Sequence, residues 1–116
     1  MNLKQNLIRM GQYGTKHGHA GAVLQVMLEN KDVEVSGVYE PDITRRRSLQ
    51  NARGYPWNKV HWFEKKTDLL NDDKTIAISS EGLNEESLTH TEEIVEAGKH
   101  VFYDKPAGED FPRFKK

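Results

Sequence analysis

Ile8-Arg9-Met10-Gly11-Gln12-Tyr13-Gly14-Thr15-Lys16-His17-Gly18-His19-Ala20-Gly21 sets the reading of this chain. A strand-like run enters a glycine-rich turn, and the turn opens onto Ala22, Val23, Val26 and Met27, an apolar stripe at helical spacing that belongs in a core. Such a turn leaves backbone N–H groups at a helix N-terminus pointed at whatever docks there, which favours a phosphate. The pattern departs from G-x-G-x-x-G. Counted from Gly14, Lys16 stands at the second glycine position and His19 at the third, with Gly18 one place early.

Downstream, Val33-Glu34-Val35-Ser36-Gly37-Val38-Tyr39 alternates, is rich in β-formers and closes on Glu40-Pro41-Asp42. An acid ending the second strand, about 20 residues past the glycine turn, is placed to accept hydrogen bonds from a ribose diol and to repel a 2′-phosphate. The same residues also read as a solvated turn. Arg45, Arg46 and Arg47 weigh the other way, because a guanidinium near that corner can hold a 2′-phosphate; inside an expected helix they read as stacking or solvated side chains.

The alternation continues along the chain. Strands are expected over 7–13, 33–39, 60–63, 75–79 and 100–103, and helices over 18–30, 42–52, 66–71 and 85–97. Helix and strand in strict succession imply an α/β fold, a doubly wound parallel sheet of about five strands with right-handed crossovers. Gly54-Tyr55-Pro56-Trp57-Asn58-Lys59-Val60-His61-Trp62-Phe63 reads as a loop entering a short edge strand, its two Trp residues packing at the sheet edge rather than forming a stacking platform.

Two further segments reach the same edge of the sheet. Ser79-Ser80-Glu81-Gly82-Leu83-Asn84 follows the fourth expected strand; its hydroxyls and amide can contact a ribose, and Asn84 can equally cap the helix that begins with Glu85 and Glu86. Ala97-Gly98-Lys99-His100-Val101-Phe102-Tyr103-Asp104-Lys105-Pro106-Ala107-Gly108 reads as a helix end, a glycine stop, a short strand and an acid-lysine-proline corner. Open α/β sheets bind ligands at the carboxyl ends of their strands. A lysine fixed there beside proline serves as a positioned cation or proton donor.

The Gly14 to Gly18 turn, Glu40-Pro41-Asp42, Thr75-Ile76-Ala77-Ile78-Ser79-Ser80, and Gly98-Lys99-His100-Val101 followed by Asp104-Lys105-Pro106 together resemble the amino-terminal part of the Gfo/Idh/MocA family, the glucose-fructose oxidoreductases and inositol dehydrogenases. The likeness runs from Ile8 to about Phe114. It implies a Rossmann-like domain over 1–116, incomplete at its carboxyl end and without the family's substrate domain. It implies cofactor contacts from Gly14, Thr15, Lys16, His17, Gly18, Glu40, Ser79, Ser80, Asn84, Asp104, Lys105 and Pro106, with Lys105 as the catalytic residue that polarises or protonates the reacting oxygen. The cofactor implied is NAD rather than NADP, and the substrate a sugar, polyol or related hydroxy compound reached only with the second domain. Departures are Asp104 for the family's glutamate, Gly82-Leu83-Asn84 for Thr-Pro-Asn, Ser87 for a histidine, and Lys16 for a glycine where the pyrophosphate approaches the backbone.

Composition limits the alternatives. A net charge of −1 with acids and bases interspersed gives no broad field for nucleic acid or anionic lipid. No cysteine is present, so disulfides and thiolate metal sites are excluded, and a reducing cytoplasm is the expected setting. His17 and His19 lack a third ligand at recognisable spacing, so no metal site is expected; His17 is read as a polar contact beside the phosphates or the nicotinamide ribose. No run approaches membrane-spanning length. Hydrophobic content of 35% is low for a sheet covered on both faces, which fits a domain with missing partners. A second reading follows: a non-catalytic nucleotide-binding or interaction remnant that self-associates or pairs with another chain along the open edge of its last strand.

Overall fold

The computed structural model describes residues 7–102. Its elements are β1 (Ile8–Tyr13), α1 (Ala20–Glu29), β2 (Val33–Tyr39), α2 (Ile43–Ala52), a 3-10 turn (Trp57–Lys59), α3 (Lys66–Leu70), β3 (Ala77–Ser80), α4 (Asn84–Glu96) and β4 (His100–Phe102). The four strands form one all-parallel sheet in the order β2-β1-β3-β4. Chain reversal between β2 and β3 places a crossover beside β1, so β1 and β3 flank the topological switch point where such sheets bind ligands.

The strand expected over 60–63 is reduced to a single parallel bridge, Val38 with Trp62. Val38 N–H donates to the His61 carbonyl at 2.9 Å and Phe63 N–H to the Val38 carbonyl at 2.8 Å, which keeps the segment beside β2 in the outer position of the sheet. Gly37 permits this approach. Its φ is +153°, and a Cβ there would sit 2.7 Å from both the His61 carbonyl oxygen and Phe63 Cε2. The pairing stops after one bridge because Phe63 turns into the core and Arg46 takes its carbonyl at 2.9 Å.

Each face of the sheet carries its own core. Met10, Leu24, Met27, Val38 and Ala77 pack under α1, with Trp57 and Trp62 against them. The two indoles lie 5.9 Å apart and Trp62 Nε1 donates to the Trp57 carbonyl at 3.2 Å, so they close the sheet edge as expected. On the opposite face Tyr13, Phe63, Leu69, Ile78 and Ile94 pack together. Strand periodicity makes this division: along β1, Met10 and Gln12 face α1, whereas Gly11 and Tyr13 face Leu69 and Ile94. A register shift between Met10 and Gly11 leaves Ser36 as the extra residue in β2, and its hydroxyl donates to the Met10 carbonyl at 3.1 Å.

Helix α4 corrects one expectation. Its cap is Leu83, and Asn84 is the first helical residue rather than the cap. Glu86 supplies what a capping side chain would, its Oε1 accepting the Leu83 N–H at 3.0 Å.

Opposite the switch point, Asp72 ties three strands' amino ends. Its Oδ2 accepts from Arg9 Nε at 3.2 Å and Thr75 Oγ1 at 2.6 Å, its Oδ1 from the Lys74 N–H at 3.1 Å, and its carbonyl from Lys99 Nζ at 2.5 Å. Burial alone would push this carboxyl up, but the bonds from Thr75, Lys74 and Arg9 outweigh it and hold Asp72 below the usual carboxylate range. A carboxyl depressed in the folded state stabilises the fold above its unfolded value and loses that contribution as pH falls through the folded value. Asp72→Asn is therefore expected to unfold at lower urea than wild type at pH 7, with the gap closing as pH drops below about 4; urea titrations at both pH values measure it. Leu69→Ala, which empties a fully buried position between β1 and α3, is expected to cost about 2–5 kcal/mol in the same titration.

Candidate functional site

The glycine turn leaves β1 where β2 and β3 also end. Gly14 N–H donates to the Tyr39 carbonyl at 2.7 Å and Glu81 N–H to the Tyr13 carbonyl at 2.8 Å, so the ladder runs one residue beyond each strand. Gly14 has φ +96°, and a Cβ on it would lie 2.8 Å from Gly82 N, so only glycine lets the turn lie against the loop after β3. Gly82 is pressed from behind as well: a Cβ there would meet His90 Cε1 at 2.8 Å.

Buried Gln12 fixes the turn from beneath. Its Nε2 donates to the Gly14 carbonyl at 3.1 Å and the Ala20 carbonyl at 3.4 Å, while its Oε1 accepts from Ser79 Oγ at 3.3 Å. Glu40 fixes it from the side. Only 2% exposed, it accepts through Oε1 from Thr15 N–H at 2.8 Å and Thr15 Oγ1 at 2.6 Å, and through Oε2 from Asp42 N–H at 2.9 Å. Arg45 closes the same residue from outside, with Nε donating to Thr15 Oγ1 at 2.7 Å and Nη2 to the Thr15 carbonyl at 2.9 Å.

Lys16 crosses the mouth of the crevice. Its Nζ lies 3.0 Å from Asp42 Oδ2 and 3.9 Å from Glu86 Oε2, between the end of β2 and the start of α4. The bond to Asp42 holds the Lys16 ammonium above its usual range, and the same bond leads in holding Asp42 below its own. His17 N–H donates to the Glu81 carbonyl at 2.9 Å, and His17 Nδ1 accepts from His19 N–H at 3.1 Å. Gly18 is exposed, with open space where a Cβ would stand.

Of the residues expected to form the site, Gly14, Thr15, Lys16, His17 and Glu40 stand together at this corner. Ser79 and Ser80 end β3 but face inward, Ser79 to Gln12 and Ser80 to the Ser87 carbonyl at 3.3 Å and Thr91 Oγ1 at 3.3 Å. Asn84 opens α4 beside them. Asp104, Lys105 and Pro106 lie outside the described residues. Among the described residues no group of three or more His, Cys, Asp or Glu could hold a metal ion.

Several contributors were not singled out for the site from sequence. Gln12 was legible as a polar residue at a core-facing strand position, and Glu86 as an acid in the first helical turn. Arg46 is buried, donating from Nη1 to the carbonyls of Phe63 at 2.9 Å and Glu64 at 3.2 Å, while Arg47 is exposed, so the three arginines separate into three roles. Behind the crevice His90 stacks on Tyr13 at 4.0 Å, and burial pushes its imidazole below the usual range. Tyr13 in turn donates to Glu93 Oε1 at 2.5 Å, and Lys66 holds Glu93 Oε2 at 2.7 Å.

Glu40→Gln, which keeps the shape but replaces one acceptor oxygen by an NH₂ group facing N–H or O–H donors, is expected to cost about 1–3 kcal/mol of stability. Chemical denaturation reads the cost, and amide exchange at Thr15 shows whether the turn loosens.

No protein-family model and no curated protein matches the sequence. Solved structures do match it. A 3-ketoreductase from Actinomadura kijaniata, in complex with NADP and TDP-benzene, superposes with TM-score 0.70 at 22% identity over 95% of this chain and 32% of that one. An NAD-binding protein from Listeria innocua gives 0.68 at 20% over 95% and 30%, and a biliverdin reductase from Synechocystis with biliverdin and NADP+ gives 0.67 at 18% over 85% and 29%. The 3-ketoreductase and the biliverdin reductase hold NADP or NADP+, and the Listeria protein is NAD-binding. At these identities the likeness is one of fold, and the chain spans about a third of each neighbour's length or less.

Proposed function

We propose that the chain binds a nicotinamide dinucleotide across the switch point, as the cofactor-binding part of an NAD(P)-dependent oxidoreductase of the Gfo/Idh/MocA family. The observation that carries this reading is the Gly14 turn, held between the carboxyl ends of β1, β2 and β3 and opening onto α1. The residues fit the group: open space at Gly18, just before α1, lets a pyrophosphate approach the backbone at a helix N-terminus. The adenosine side lies toward Glu40 and Asp42, the nicotinamide side toward Ser79 to Asn84. The NADP held by two structural neighbours and the NAD-binding of a third support the cofactor class.

Glu40's part in this reading is to hold Thr15, since its oxygens are already engaged behind the turn. Preference for NAD over NADP then rests on the acidic corner as a whole, Glu40 with Asp42, because Arg45 is tied to Thr15. The bound cofactor supplies hydride exchange; the chain's share is to orient it. Asp104, Lys105 and Pro106 would complete the site, with Lys105 polarising or protonating the reacting oxygen of a sugar, polyol or related hydroxy compound. A nucleotide-binding or interaction module without turnover is the second reading, favoured by Thr15 N–H and His17 N–H being bonded within the chain.

Calorimetric titration with NAD and NADP tests the proposal. Binding in the range of hundreds of micromolar is expected, about 5 kcal/mol, with NAD the tighter. Tighter NADP binding would overturn the preference, and no binding of either cofactor at millimolar concentration would overturn the dinucleotide reading in favour of the interaction module.

A further inference from the structure

We propose that the Asp42 carboxylate competes with the cofactor's pyrophosphate for the Lys16 ammonium, so that the Lys16–Asp42 ion pair is a latch that opens when a dinucleotide seats. The inference rests on the dinucleotide reading above and adds to it a residue that sets affinity from outside the turn.

Lys16 occupies the turn position at which G-x-G-x-x-G places its second glycine, where the pyrophosphate approaches the backbone most closely. Its side chain therefore cannot be indifferent to that ligand. The ammonium lies 3.0 Å from Asp42 and 3.9 Å from Glu86, and so spans the gap between the adenosine and nicotinamide sides of the crevice. Both partners are within reach of solvent, Lys16 at 27% and Asp42 at 39% exposure, so an incoming anion can reach the pair. An ammonium on a four-carbon stem offers three donors in no fixed geometry, and it can pass from one anion to another by rotation of its own side chain.

Among the described residues, the other fixed cation at this corner is Arg45, and it is held toward Thr15 by two of its donors. Glu40 and Glu86 add negative charge, and Glu81 lies buried behind His17. The acids beside the Lys16 ammonium are Asp42 and Glu86, so a pyrophosphate arriving here must take Lys16 from Asp42. Asp42 also caps α2, accepting the Arg45 N–H at 3.1 Å, which is why an acid suits the position when the crevice is empty.

Asp42→Asn separates these two roles, because asparagine caps a helix as well as aspartate does but offers no charge to Lys16. Titration of NAD, ADP and inorganic pyrophosphate into wild type, Asp42→Asn, Lys16→Ala and the double variant is the test. The expected result is roughly three- to tenfold tighter binding of all three probes by Asp42→Asn, weaker binding by Lys16→Ala, and loss of most of the Asp42→Asn gain in the Lys16→Ala background. Carbon-13 NMR of the Asp42 carboxyl gives a second readout: saturating pyrophosphate should return its titration toward the ordinary carboxylate range. Unchanged or weaker binding by Asp42→Asn overturns the latch while the dinucleotide reading stands. An equal gain in the Lys16→Ala background also overturns it, since simple repulsion would then account for the effect. Absence of binding by every form at millimolar probe removes the dinucleotide reading itself.

Discussion

The carboxylate of Glu40 is the group on which the site's shape depends. A buried charge is tolerated only when its oxygens are satisfied, and here a backbone N–H and a hydroxyl of Thr15 with a backbone N–H of Asp42 do so. One side chain thereby joins the turn after β1 to the corner after β2. Gln12 does the same from beneath, joining that turn to the start of α1 and to β3. With its backbone fixed from two directions, the turn needs no ligand to hold its form, and Lys16 is left as the charge at its mouth, paired with Asp42.

Much of the fold was legible because periodicity reports burial. The alternation of Val33 to Tyr39 and the apolar stripe after the glycine turn mark a strand and a helix, and both elements stand where the pattern puts them. The expected core face of the helix is corrected: Ala20, Leu24 and Met27 are buried, whereas Ala22 and Val26 of the stripe are exposed, because the helix axis is set by Leu24 lying over Met10 and Val38. The segment over 60–63 was not legible as a near-strand, since composition shows β-propensity but not how many backbone groups find partners. Val38 pairs through both its N–H and its carbonyl, and the ladder ends there because Phe63 turns into the core and gives its carbonyl to Arg46.

The site was legible as a place and less so as a set of contacts. Spacing brought Glu40 to the turn, but spacing carries no side-chain direction, and the carboxylate faces Thr15 rather than outward. Ser79 and Ser80 end their strand as expected and are drawn inward by Gln12 and α4, partners sixty-seven and seven residues away along the chain. Arg45 was weighed against a phosphate and is found on a threonine. In each case the competing partner is a buried polar group elsewhere in the sequence, which no local window contains.

The stacking of Gly14 on Gly82, and of Gly82 on His90, has a consequence for how this sequence can change over time. The three positions are in contact one after another, and Tyr13 stacks on the His90 ring. A methyl group gained at Gly82 is sterically possible only after the imidazole has been replaced by something smaller, and a smaller residue there would leave Tyr13 facing a void. Substitutions at these positions are thus order-dependent: the permissive step must come first and is itself destabilising. The constraint at this corner is geometric, independent of what the crevice binds.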